Sequence, residues 1–152
     1  MVVFCINISY SQIAVFNSLL ANPFNDWKNQ HVTQGFSWRP ESVSFKTLID
    51  SGPISVEVRT AETLPSPTGT RAITVPFVCS DGGTVEISSI TGGQKTDIQP
   101  GSYQLLFETG LRDETDWCRF TFIPNGSMTP AILIPDQEVM QPDTFHMEAE
   151  PA

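Results

Sequence analysis

Between Gly110 and Phe120 the chain reads GLRDETDWCRF, which sets Asp113, Glu114 and Asp116 close together, with Glu108 just before them. Arg112 and Arg119 flank the acids, and Trp117 lies inside the run. Such residues admit four chemistries: a cation site, a catalytic acid pair, a lure for a positively charged partner, or a solvated loop. Calcium takes six to eight oxygen ligands, and this run lacks the alternating acids and the glycine of a dedicated calcium loop. A solvated turn outweighs it. Zinc fares worse, because His31 and His146 are far apart and Cys5, Cys79 and Cys118 keep no ligand spacing with them or each other. No metal and no cofactor is expected.

Nucleophilic catalysis finds no better footing. There is no Gly-x-Ser-x-Gly elbow. Cys79 and Cys118 fall on the apolar side of alternating segments, where a thiol behaves as a small hydrophobe. Cys5 falls on a polar face and reads as a surface thiol. A carboxylate pair of the glycosidase kind is a spatial arrangement that spacing does not exclude, yet no feature favours one. The chain is therefore expected not to be an enzyme, which leaves binding. Trp27 and Trp117 each follow an Asp directly. An aromatic ring beside carboxylates suits Lys and Arg through ion pairs and cation–π contact, while core burial is the competing role for each Trp. Asp26, Trp27, Asp113, Glu114, Asp116 and Trp117 are the expected partner-facing residues. Glu62, in the long loop AETLPSPTGT, is a weaker member.

The elements that must hold these residues are strands. FCINISY alternates Phe4, Ile6, Ile8 and Tyr10 against Cys5, Asn7 and Ser9, and QIAVF continues it through a bulge near Ser11. SVSFKTL, ISVEVRT, RAITVPFVC, YQLLFE and WCRFTFI show the same period of two. Pro76 cannot donate to a ladder, which places its strand at an edge or a bulge. Two Gly pairs ten residues apart, in SDGGTVEISSITGGQ, read as hairpin turns around one strand. Eight or nine short strands with turns between them predict an all-β antiparallel sandwich. The exception is NDWKNQHVTQGF, where Asn25 or Asp26 could cap a short helix or helical turn near residues 26–34 and Gly35 could end it. The sandwich is expected to span residues 1–134 as one domain. Residues 135–152, with five acids and no Lys or Arg, are expected as an acidic, partly disordered tail.

Charge narrows the partner. The 152 residues carry a net charge of −9. Residues 1–107 hold eight acids and six bases, whereas residues 108–152 hold nine acids against Arg112 and Arg119 alone. Direct nucleic-acid binding is disfavoured, since phosphate contacts need clustered Lys and Arg. An acidic surface draws basic partners instead. Three widely spaced cysteines without a C-x-x-C pair argue for a reducing, cytoplasmic setting. The apolar start MVVFCINI has no basic segment before it and is broken by Asn7 and Ser9, so it reads as a strand rather than an export signal. No membrane span is expected.

Several segments together, ISYSQIAVF, DWKNQHVTQGF, SVSF, ITVPFVCSDGGTVEISSI and DIQPGSYQL, resemble the competence protein J family, inhibitors of the DNA-entry nuclease of bacterial competence. The resemblance runs from about Ile8 to Phe107 and fades through RDETDW. Its motifs are structural in type. They imply a shared β fold and a small cytoplasmic protein that binds and silences a nuclease. Asp26–Trp27 is the one matched position with evident interface chemistry. A nuclease cleft is lined with Lys and Arg, so carboxylates presented there would stand in for phosphate oxygens. The alternative reading is a β-sandwich module for a carbohydrate or lipid surface, which would show an exposed aromatic platform. Partner identity and oligomeric state stay open.

Overall fold

Alternating residues become strands almost throughout. The computed structural model describes residues 1–152. In chain order come β1 (Val2–Ile8), β2 (Gln12–Asn17), α1 (Asn29–Gln34), β3 (Phe36–Arg39), β4 (Ser42–Lys46), β5 (Gly52–Thr60) and β6 (Arg71–Cys79). After these come β7 (Thr84–Ser89), β8 (Gly92–Asp97), β9 (Gly101–Arg112), β10 (Thr115–Pro124) and β11 (Ala131–Ile134). Six strands form one sheet in the order β1-β5-β10-β9-β6-β11, and five form the other, β3-β4-β2-β7-β8. All neighbours are antiparallel except β5 and β10, which run parallel with Trp117 beside Ser55. The sandwich predicted from alternation is the observed fold, with that one parallel pair added.

The inward residues of both sheets meet in a core of 24 buried side chains. Phe45 of the smaller sheet stacks on Phe107 of the larger at 4.5 Å, and Phe120 packs at their edge. Phe77, Tyr103 and Phe122 continue the aromatic layer. Cys79 and Cys118 lie inside it and Cys5 is exposed, as the alternation predicts. Pro76 sits where β6 has only β9 beside it, past the end of its pairing with β11. Its carbonyl accepts from the Trp38 indole instead.

Three local expectations change. No bulge joins β1 to β2. Tyr10 and Ser11, both at positive φ (55° and 56°), form a two-residue corner at which the chain passes from the larger sheet to the smaller. Tyr10 therefore leaves the core face and is 79% exposed. The first Gly pair carries the chain from β6 to β7 in the opposite sheet, and the hairpin between β7 and β8 turns at Ile90–Thr91. The helix begins later than its candidate caps: Lys28 is the N-cap residue, and its N–H donates to His31 Nδ1. Gly35 does end it, at φ 85°.

The segment 135–152 has almost no regular structure, yet it is packed rather than detached. Val139 is fully buried against Gly35 and Ile73, and Phe145 lies 5.8 Å from Phe36. Glu150 exchanges backbone and side-chain hydrogen bonds with Asp26. Asp136 and Glu138 close over Arg71, a fully buried guanidinium at one end of the core. A buried guanidinium needs such partners, because a lone charge in the interior is strongly destabilising.

Candidate functional site

The parallel pairing decides which loops are neighbours. β10 starts, β9 ends, β5 starts and β1 ends at the same end of the larger sheet. The β9–β10 hairpin, the 47–51 connection, the Tyr10–Ser11 corner and α1 all gather there. Asp113 and Glu114 are the two turn residues of that hairpin, at φ 50° and 64°, and Arg112 pairs with Thr115 across it. Such a turn favours Asn-Gly, so a Glu in the second position stores strain.

Alternation along β9 and β10 sends the two flanking arginines away from the tip. Arg119 Nε donates to Glu57 Oε1 at 2.9 Å, and Arg112 reaches Glu57 Oε2 at 3.2 Å. Both guanidiniums also lie over the Trp117 indole, 4.7 and 5.0 Å from its centroid. Arg119 continues to Glu108, which also accepts from the backbone N–H groups of Thr68 and Gly69. The Pro-rich loop is thereby pinned to the outer face of the sheet. A Cβ at Gly69 would stand 2.6 Å from the Thr109 carbonyl, so only glycine permits that approach. Burial works to raise the Glu57 carboxyl, but hydrogen bonds from Arg119 and Arg112 and their charges outweigh it and hold it below the ordinary range.

The three acids of the hairpin enter none of these pairs. Asp113 and Glu114 are exposed and Asp116 is half-buried. Beside them a shallow cavity of about 340 Å³ has Glu114 and Asp116 on one wall and Ile49, Pro53 and Ile54 on another. Trp117, expected at the contact surface, is instead 4% exposed beneath its arginines. It positions them and offers no free ring. Glu62 is exposed but lies apart: it follows Ala61, whose N–H bonds the Phe122 carbonyl near the far end of β10. At about 3.3 Å per residue that is roughly 20 Å from the hairpin. Asp26 directs a carboxylate oxygen to the Glu150 N–H, 3.0 Å away. Trp27 is half-buried, and its indole donates to Gln12 Oε1 at 3.0 Å.

Two contributors went unseen in the sequence. A period of two puts Tyr10 on a strand face, and nothing in it announces the change of sheet after Ile8. Asp50 joins the same end through the Ser11 hydroxyl, 2.7 Å from its carboxylate. No three His, Cys, Asp or Glu side chains are grouped so as to share a metal ion. No helix is long and apolar enough to cross a membrane.

The fold is a two-sheet sandwich with an acidic hairpin tip, free of ion pairs, at one end. The chain belongs to the competence protein J (ComJ) family, whose sequence model matches residues 5–123 and so takes in the acidic hairpin. A DNA-entry nuclease inhibitor of Bacillus subtilis (strain 168) is 28% identical over 120 residues, covering 78% of this chain and 89% of that protein. The crystal structure of ComJ from Bacillus subtilis, described as an inhibitor of the DNA-degrading activity of NucA, superposes with a TM-score of 0.73 at 22% identity. That likeness covers 82% of this chain and 96% of the other.

Proposed function

We propose that this chain silences a DNA-degrading nuclease without catalysing a reaction itself, by seating the Asp113–Glu114 hairpin in the enzyme's basic nucleic-acid cleft. The observation that carries this reading is the division of charge along one hairpin. Arg112 and Arg119 are occupied by Glu57, Glu108 and Trp117, so the carboxylates at the tip keep their field. Family membership and the inhibitor relative support the partner class. Paired strands on both sides of the tip hold the acids in place, which lowers the ordering cost of binding. A cytoplasmic setting belongs to the same proposal and is supported by three free cysteines.

The mechanism is competition for phosphate sites. Carboxylates on a stiff hairpin meet the Lys and Arg side chains that would otherwise grip polyanion, and complementary charge speeds encounter by roughly 10 to 10³. To test this, the purified chain is titrated into an assay of the DNA-degrading nuclease of its source organism at low and at high salt. Inhibition should weaken as salt rises. The triple variant Asp113→Asn, Glu114→Gln, Asp116→Asn should lose about 10- to 100-fold in potency at low salt, with a flatter salt dependence. Potency indifferent to both salt and the three substitutions would remove the mimicry mechanism.

A further inference from the structure

A second cavity, about 260 Å³, opens at the same end of the sandwich and is walled by Tyr10, Trp27 and Val32, with Ser11, Gln12 and Lys46 completing it. Three features set it apart from an incidental dimple. Tyr10 is held at φ 55° and yet 79% exposed, so a bulky ring occupies a strained turn without burying itself. Trp27 is oriented by the Gln12 amide oxygen on its indole N–H. Val32 adds an exposed apolar edge on α1. Strain of this kind, retained where Asn-Gly would relieve it, gathers at ligand clamps.

The charges around the cavity select its occupant. Lys46 is matched by Glu138 at 3.2 Å. Asp26 and Lys28 flank Trp27 and offset one another in formal charge. Asp50, hydrogen-bonded by the Ser11 hydroxyl, enters no ion pair and is exposed. The local balance is one unmatched carboxylate beside two aromatic rings, which is the complement of a planar cation on an apolar stem.

We propose that this socket receives an arginine side chain of the partner protein, with the Tyr10 and Trp27 rings holding the guanidinium and its stem and Asp50 matching its charge. The proposal rests on the reading of a basic protein partner, and it names the one residue type that the aromatic part of the surface takes. The hairpin then supplies long-range attraction, and the socket a short-range anchor of the kind that Trp, Tyr and Arg provide at interface centres.

Two measurements test it. In the first, the intact ¹⁵N-labelled chain is titrated with N-acetyl-arginine methylamide, with the norleucine analogue as the uncharged control. The Trp27 indole N–H, assigned through Trp27→Phe, should shift saturably at millimolar arginine and move less than about a fifth as far with norleucine. Equal shifts, or no saturable shift by about 100 mM arginine, overturn the proposal. In the second, Tyr10→Gly removes the ring and accepts the positive φ without strain, so the fold persists. Its affinity for the source organism's nuclease should fall about 10-fold or more with an unchanged salt slope. Unaltered affinity in Tyr10→Gly overturns the socket while salt-dependent inhibition by the hairpin still stands. A nuclease that ignores the chain altogether defeats the inhibitor reading, and the arginine titration then still decides the socket.

Discussion

The outer face of the larger sheet and the hairpin tip that extends from it are made of the same residue types and treat them oppositely. On the face, Glu57 and Glu108 are buried and every guanidinium nearby is committed: Arg119 to both, Arg112 to Glu57, and Arg59 to Glu108 at 4.0 Å. At the tip, one and two residues past Arg112, Asp113 and Glu114 have no cationic neighbour within ion-pairing distance and are exposed. Charges matched inside a sheet fix geometry and project little field. Unmatched charges at a turn project field and fix nothing. The inhibitory hairpin proposed above would need both, a stiff base and a free tip, and the alternation of β10 allows them by sending Trp117 and Arg119 to one face.

The largest effect is expected from breaking the face. Glu108→Ala leaves Arg119 without one of its two carboxylates, and it orphans the Thr68 and Gly69 N–H groups that tie down the Pro-rich loop. Removing one partner of a buried pair costs about 3–5 kcal/mol. At roughly 2–4 °C per kcal/mol for a chain near this length, thermal unfolding should come about 10 °C earlier. The charges at the tip are untouched, so below its melting range the variant should still inhibit. Unchanged melting would mean that the face pairs are exposed and weak, and the contrast with the tip would vanish.

How much of that contrast was legible beforehand follows from what alternation encodes. Period two placed Cys118, Phe120 and Phe122 in the core and, by default, Trp117 and Arg119 on the other face. It could not say that Glu57, some sixty residues away, would stand beside Arg119, because that neighbour exists only through the parallel β5–β10 register. Hence the run of acids is plain in the sequence, and the burial of Trp117 under two arginines is not. The packing of the tail is hidden from the sequence for a related reason. Val139, Phe145 and Met147 all stand at odd positions, but Gln141 and Asp143 interrupt the alternation, so composition shows the five acids and not the apolar contacts between them. Asp136 in particular has the buried Arg71 as its partner, a pairing across 65 residues that no local pattern reveals. Strand β3 is hidden by its shortness, since FSWR alternates over only four residues, while β8 and β11 lack alternation: GGQKTD is exposed along nearly its whole length.

Acid titration sharpens the comparison next. Glu57 titrates below its ordinary value of 4.5 because its two arginines outweigh the cost of burial. In a group with a depressed folded pKa, the unfolded chain binds protons first as pH falls. The stabilisation is therefore complete above about pH 4.5 and is lost as pH descends through the folded value. Asp136, held low by Arg71 and by the Val139 and Glu138 N–H groups against its own burial, adds to the same loss below its ordinary 3.8. His31 contributes with the same sign but higher up the scale. Burial lowers it from 6.5, so the folded state resists its protonation and stability begins to fall as pH drops below that value. Denaturant melts of the wild type and Glu57→Gln should thus diverge above pH 5 and converge towards pH 3. Parallel curves across that range would show that Glu57 is not linked to folding.

The smallest effect in energy discriminates best in meaning. Glu114 sits at φ 64° in a two-residue turn, where glycine has no steric cost. Glu114→Gly should therefore raise stability by about 0.5–1 kcal/mol, although glycine's greater chain entropy in the unfolded state takes back part of the relief. The same substitution deletes one carboxylate from the tip and part of one wall of the neighbouring cavity. If the turn is shaped only by folding, potency should be untouched. If the strained Glu is there to meet a basic cleft, the variant should be the more stable protein and the weaker inhibitor, with most of its loss at low salt. A turn residue that costs stability while it helps binding is what distinguishes a tip that projects charge from a face that consumes it.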